Sequence, residues 1–227
     1  MGDEWTPRNL AATIDHTLLK PEATETQVMA LCREAKKFGF AAVCVNPCHI
    51  PLVAKTLQEA PEVRACSVIG FPLGASRSPI KAAETRQAVA DGAREIDMVM
   101  ALGALKEGRL DLVEEDIRGV VAAAGKALVK VIIETCCLTD AEKTAACQAA
   151  VRAGARFVKT STGFGRAGAT AADVRLMRSA VGEDVGVKAS GGIRTLEQAM
   201  EMLAAGATRL GTSSGVALVE QFSKAGC

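Results

Sequence analysis

RAGARFVKTSTG, residues 152–163, holds in miniature the unit from which the chain is built. A helix runs out near Ala153, Gly154 turns the chain, Phe157-Val158-Lys159 follows as a short apolar run, and Thr160-Ser161-Thr162-Gly163 opens into a polar turn. Glycine is favoured just past a helix end because it enters the left-handed conformation without a Cβ clash. The same arrangement surrounds Phe38-Gly39-Phe40, Asp91-Gly92-Ala93 and Ala205-Gly206-Ala207, so four glycines are expected to be helix stops.

Helix starts are also marked. Thr24 with Gln27, Thr139 with Glu142 and Thr195 with Gln198 have capping-box spacing, and Ser78-Pro79 puts proline at an expected first helical position. After Thr24, the residues Val28, Leu31, Cys32, Ala35 and Phe38 recur at helical spacing and predict one apolar face. Between the helices lie runs that read as buried strands: Thr13–Asp15, Ala42–Asn46, Ala65–Ile69, Glu95–Val99, Val129–Glu134, Phe157–Thr160, Val185–Ala189 and Arg209–Gly211. Alternating strands and helices imply parallel strands, and eight of them close a barrel. The expectation is therefore an α/β chain forming one (β/α)8 TIM barrel over residues 1–227, with no linker or second domain.

Composition agrees. The chain is 49% hydrophobic but only 3% aromatic, which suits helices of Ala, Val, Leu and Ile packed on a parallel sheet. Twenty-seven basic against 26 acidic residues give a net charge of +1, and no basic stripe interleaved with aromatics appears, so nucleic acid is not expected as a partner. No apolar run approaches the ~18 residues that span a bilayer, and the N-terminus is polar and acidic rather than basic and then apolar. The reading is a cytoplasmic protein without a membrane partner, its eight cysteines reduced.

In barrels of this kind the active site forms at the C-terminal ends of the strands. There the sequence places Asp15-His16, Cys44 and Asn46, Asp97, Lys159 and Lys188. A lysine between apolar strand residues is buried whichever way it points, and a buried ammonium must be paired or lose its proton. An internal ion pair is one outcome for each lysine alone. Two lysines on adjacent strands near an aspartate favour the other, because like charges held close oppose double protonation. An uncharged amine can attack a carbonyl and form an imine, with the charged neighbour and the aspartate moving protons. Glycine-rich turns at Ser161-Thr162-Gly163, Ser190-Gly191-Gly192 and Gly211-Thr212-Ser213-Ser214-Gly215 could cradle an oxyanion, which points to a small phosphorylated substrate.

The segments TIDHTLLKP from Thr13, VCVNP from Val43, EIDMVM from Glu95, FVKTSTGFG from Phe157 and VKASGGIRT from Val187 resemble the deoxyribose-phosphate aldolase family, over about Leu10 to Leu218. The resemblance implies a class I aldolase that reversibly cleaves 2-deoxy-D-ribose 5-phosphate to D-glyceraldehyde 3-phosphate and acetaldehyde, with no cofactor and no metal. It assigns Lys159 as the Schiff-base lysine and Asp97 with Lys188 as the proton-relay pair. Asp15, Cys44, Thr160, Gly163, Gly191, Gly192, Ser213 and Ser214 fall among the substrate-binding positions, the glycines and serines at the phosphate. A homodimer or homotetramer is the expected assembly. Two features depart from the family. There is no tyrosine, so the C-terminal tyrosine that some members use in proton transfer is missing, and Phe164 rather than lysine follows Gly163, with Arg166 nearby.

Three other readings stay open at this level. One is a phosphate-binding isomerase using Asp97 and Cys44 as acid and base, another an aldolase for a different sugar phosphate, and the third a catalytically silent barrel that binds a phosphorylated metabolite as a sensor or assembly partner. Cys44, Cys48 and His49 lie close in sequence, but a zinc site needs a fourth ligand or water and no second suitably spaced pair is present.

Overall fold

Threonine hydroxyls start several helices of the computed structural model, which describes residues 5–225. Thr24, Thr139 and Thr195 each accept the backbone N–H three residues on, while Gln27, Glu142 and Gln198 accept the cap's own N–H in return. These boxes begin α2 (Glu25–Phe38), α7 (Asp140–Arg152) and α9 (Leu196–Ala204). Thr6 starts α1 (Pro7–Ala11) with the same reciprocal pair, through Asn9, and Thr170 starts α8 (Ala171–Val181) by accepting the Asp173 amide alone. α4 (Ser78–Ala90) differs from expectation: Arg77 is its cap residue, so Pro79 is the second helical residue. An amide there has no intrahelical acceptor, and proline costs nothing by lacking it. Gly39, Gly92, Gly154 and Gly206, the expected stops, have φ of 71°, 108°, 91° and 107°.

The strands are β1 (Ile14–Leu18), β2 (Ala42–Val45), β3 (Arg64–Ile69), β4 (Glu95–Val99), β5 (Leu128–Ile132), β6 (Phe157–Lys159), β7 (Gly186–Ser190) and β8 (Arg209–Thr212). All neighbours are parallel, and β8 pairs with β1 to close the barrel in chain order. The remaining helices are α3 (Ile50–Thr56), α5 (Leu102–Lys106), α6 (Leu110–Ala124) and α10 (Gly215–Ala225). The expected eight strands are thus present, with ends displaced. β1 runs on through His16, Thr17 and Leu18, whose partners are Val43, Cys44 and Val45. β5 stops at Ile132 because Glu134 takes a left-handed φ of 53°. No helix among the described residues is long and apolar enough to cross a membrane. The acidic Met1–Glu4 and the final Gly226-Cys227 lie outside the described residues.

Strand alternation sorts the residues onto two faces. Outward residues such as Ile14, Val43, Ile96, Val131, Val158, Val187 and Leu210 join the helix faces, including Val28, Leu31, Cys32 and Ala35 of α2, in one continuous core. Phe38 is only partly buried at its margin. The barrel interior is not the layered aliphatic filling usual for this fold. A small apolar cluster of Leu19, Ala42, Cys44, Cys66 and Val68 takes one side, and ionisable side chains take the other.

Candidate active site

Three carboxylates and four basic side chains meet inside the barrel. Asp97 of β4 is the hub: its Oδ2 accepts from Lys159 Nζ at 2.8 Å and Lys188 Nζ at 2.7 Å, and its Oδ1 accepts from Lys130 Nζ at 2.8 Å. The register explains the meeting, because Asp97 lies opposite Lys130 and Lys159 opposite Lys188. Lys188 also donates a short hydrogen bond to Asp15, whose other oxygen takes Arg209 at 2.6 Å. Glu95 lies one layer below, 2.6 Å from Lys130 and 3.3 Å from Arg209. Gly211 makes this possible, since a Cβ there would stand 2.8 Å from Ser190 Cβ and 3.0 Å from Lys188 Cε. Gly186 likewise leaves room for the Phe157 ring, over which the Arg209 guanidinium lies at 5.6 Å.

Electrostatics follow from this packing. Burial opposes ionisation of Asp97, but Lys130, Lys159 and Lys188 outweigh it and hold the carboxyl well below the usual carboxylate range. Asp15 is lowered in the same way, its burial outweighed by Lys130, Lys188 and Arg209. Burial works against the Lys130 and Lys188 ammonium groups, yet Asp15 and Asp97 keep both above the ordinary lysine value. Cys44 faces Cys66 across β2 and β3. Its thiol is lowered by the Cys66 side chain against the effect of burial, while burial first, then Cys44, raises Cys66.

Above the hub, a cleft of about 240 Å3 opens at the C-terminal ends of the strands. Lys159, Gly163, Gly191, Gly192 and Ser213 line it, together with Lys20 and Arg194. Gly163, Gly191 and Gly192 have φ of 86°, 87° and 83°, which only glycine adopts freely. Of the expected catalytic residues, Lys159 alone reaches the cleft; Asp97 and Lys188 lie directly beneath it. Asp15 and Cys44 are fully buried and do not line it, Asp15 because it is committed to Lys188 and Arg209, Cys44 because it packs in the interior apolar cluster. Thr160 is also off the lining, its hydroxyl bridging to Ser190 by donating to O at 3.2 Å and accepting from N at 3.1 Å. Ser214 sits just before α10, its carbonyl accepting from Leu218.

Other sequence candidates have structural partners. His16 faces the helices, 2.7 Å from Glu34 and 5.0 Å from the Phe40 ring. Arg166 donates to the Cys136 carbonyl at 3.2 and 2.9 Å. Cys44, Cys48 and His49 do not converge; among the described residues, the possible metal donors that do are Cys44, Cys66 and Asp97, or Asp15, Cys66 and Glu95. Lys130 Nζ already stands among them, 2.6 Å from Glu95, 2.8 Å from Asp97, 3.4 Å from Asp15 and 3.4 Å from Cys66 Sγ. A cation is thus built into that donor set by the chain itself.

Lys130, Glu95 and Arg209 were not singled out from the sequence. Lys130 carries the same signal as Lys159 and Lys188, a lysine inside an apolar strand, Leu128-Val129-Lys130-Val131-Ile132. Glu134 gave no such signal. It is nearly buried, and its carboxylate accepts from the Thr162 hydroxyl at 2.5 Å and from the Thr162 amide at 3.3 Å, pinning the turn that carries Gly163 into the cleft.

Residues 10–221 match the model of the DeoC/LacD family aldolases. The deoxyribose-phosphate aldolase 1 of Bacillus licheniformis is 59% identical over 214 residues, covering 94% of this chain and 96% of that protein. That of Streptococcus mutans is 60% identical over 207 residues, covering 91% and 94%. Among solved structures, the deoxyribose phosphate aldolase of Aeropyrum pernix, described as a unique tetramer, superposes with a TM-score of 0.91 at 37% identity, covering 97% of this chain and 93% of that one.

Proposed function

This chain belongs to the DeoC/LacD family of aldolases, and from that premise we propose that it cleaves 2-deoxy-D-ribose 5-phosphate reversibly through an imine formed on Lys159. The observation that carries the proposal is the charge count beneath the cleft: Asp15, Glu95 and Asp97 face Lys130, Lys159, Lys188 and Arg209, one cation too many. Arginine does not surrender its proton. Lys130 and Lys188 each contact two or more carboxylates, whereas Lys159 shares Asp97 with both of them. The amine least committed to a carboxylate is therefore the one at the cleft, where a carbonyl can reach it.

Lys159 Nζ adds to the C1 aldehyde of the open-chain sugar, and loss of water gives the protonated imine. Splitting five carbons into three and two breaks the C2–C3 bond. The C3 hydroxyl loses its proton, the bond's electron pair flows into the imine, and glyceraldehyde 3-phosphate leaves an enamine on Lys159. The enamine takes a proton at C2, and water then releases acetaldehyde and regenerates the amine. Asp97, ionised at rest, orients Lys159 and relays protons by taking one up transiently from Lys188 or Lys159 and returning it to the other amine or to a water or hydroxyl on the substrate side. Gly163, Gly191, Gly192 and Ser213 hold the phosphate with their backbone amides, Ser214 completing the turn into α10, while Lys20 and Arg194 supply positive charge. Asp15 and Cys44 act from below, Asp15 by fixing Lys188, Cys44 by shaping the apolar half of the interior. Thr160 contributes by tying β6 to the β7 turn. The enzyme works as a homo-oligomer in the cytoplasm, in keeping with the tetrameric relative and with seven described cysteines that are all free thiols.

The test is reductive trapping. Acetaldehyde with borohydride is expected to add one reduced two-carbon group, mapped by peptide mass spectrometry to Lys159, and Lys159→Leu is expected to abolish acetaldehyde release from the sugar phosphate. An adduct on Lys188 would reverse the lysine roles, and no adduct would remove the imine.

A further inference from the structure

At the opposite end of the barrel the strands enter through a ring of cations. Arg64 opens β3, Arg94 immediately precedes β4, Lys126 lies two residues before β5, Arg156 immediately precedes β6, and Arg209 opens β8. All five line one cavity of about 590 Å3, and among the described residues the only acidic group on its wall is Glu95. Glu95 is nearly buried and already held by Lys130 at 2.6 Å and Arg209 at 3.3 Å, with Arg64 at 3.9 Å. Arg94, Lys126 and Arg156 are exposed, and none of the three makes an ion pair or side-chain hydrogen bond among the described residues. A second concavity of about 610 Å3 adjoins the first, shares Arg64 and Arg209 with it, and adds Lys36 and Lys37. Glu62 is the acidic residue on that second wall, so in a chain of net charge +1 the two concavities set Arg8, Lys36, Lys37, Arg64, Arg94, Lys126, Arg156 and Arg209 against Glu62 and Glu95.

We propose that the N-terminal mouth of the barrel is a second binding site, for a compact polyvalent oxyanion of the polyphosphate class. Guanidinium groups bind phosphate oxygens in pairs through their planar fork, and four of the five cations on the cavity wall are arginines. Their spacing sets the ligand's size. Arg64, Arg94, Lys126 and Arg156 stand at the entrances of four consecutive strands, and three steps of about 4.8 Å set them along an arc of roughly 15 Å around the barrel mouth, more than one phosphate group reaches. A concave wall of one sign also concentrates counter-charge. A structural role would pair these side chains with acids on neighbouring loops, and the described residues provide no such pairs for Arg94, Lys126 or Arg156. The phosphate cradle proposed above lies at the far end of the strands, so this site does not depend on the imine reading.

Calorimetric titration with inorganic tripolyphosphate at constant ionic strength tests it. Ser213→Glu places a carboxylate in the C-terminal cleft and removes binding there. The Ser213→Glu enzyme is expected still to bind one equivalent of tripolyphosphate, and adding Arg94→Gln and Arg156→Gln to weaken that binding at least tenfold. In the otherwise unaltered enzyme, Arg94→Gln with Arg156→Gln is expected to leave sugar-phosphate cleavage unchanged. Absence of binding in Ser213→Glu, or binding indifferent to the arginines, overturns the proposal. Should the combined variant fail to fold, Lys126→Gln on the Ser213→Glu background carries the same comparison, with an expected threefold loss; no loss overturns it.

Discussion

Lys130 never touches the cleft, yet it contacts Asp15, Glu95 and Asp97 together. Removing one member of a buried ion network leaves its partners charged without compensation, at a cost of about 3–5 kcal/mol. Lys130→Met is therefore expected to lower unfolding free energy by that order, measured by urea denaturation. Lys159→Met should cost clearly less, because Asp97 keeps Lys130 and Lys188. Equal losses would contradict the unequal sharing of carboxylates described above. At this scale the sequence was partly legible. A lysine among strand valines announces burial, so Lys159, Lys188 and, by the same rule, Lys130 could be found. Which carboxylates answer them could not, because Asp15 and Lys188 are 173 residues apart and meet only when the barrel closes.

Among the elements, the loop from β6 to α8 fits against the β7 turn through glycine. A Cβ on Gly168 would stand 2.1 Å from the Gly191 carbonyl oxygen, and the next residue, Ala169, donates to Ser190 O at 3.1 Å and Gly191 O at 3.0 Å. Gly168→Ala must push these backbones apart, with an overpacking cost of about 1–3 kcal/mol. Because Gly163 and Gly191 ride on the two parts, the KM for the phosphorylated sugar is expected to rise about tenfold. Gly103 in α5 has nothing within 4 Å of an added Cβ, so Gly103→Ala should leave KM unchanged and hold or slightly raise stability. Steady-state kinetics and thermal melts of the pair check both statements. Caps and glycine stops were legible because a threonine, a glutamine or glutamate three residues on and a terminal glycine act within one turn. Strand ends were not: β1 hides behind Asp15-His16-Thr17, where Asp15 is satisfied by distant Lys188 and Arg209 and His16 by Glu34 of α2.

For the whole molecule, burial and pairing set a stability window in pH. Asp15 and Asp97 are held below the usual carboxylate range, so their contribution is complete above about pH 4, the unfolded value, and drains as pH falls further. Lys130 and Lys188 are held above the lysine value, and burial pushes Cys32 up to about 11 and Cys147 to about 12. Those contributions are complete below the unfolded values, near pH 8.5 for thiols and 10.4 for lysines. As pH rises past them they are lost at about 1.4 kcal/mol per pH unit and group. Denaturation across a pH series should give a plateau from about 4.5 to 8.5 with losses on both sides; a steep slope between 5 and 8 would refute this account. Strand number and closure were readable from the repeated unit, whereas the half-charged interior was not, because nothing local separates a residue facing inward from one facing the helices.

The seam between β8 and β1 binds the two ends of the polypeptide, with Arg209 on Asp15 across 194 positions of sequence. During synthesis the aspartate leaves the ribosome long before either of the basic groups that will neutralise it on β7 and β8. The first six strands already bring Lys130 and Lys159 to Glu95 and Asp97, but Asp15 lacks Lys188 and Arg209 until the final quarter of the chain arrives. The network beneath the reactive amine is therefore complete only once β7 and β8 are in place, and the two ends of the chain share in building it.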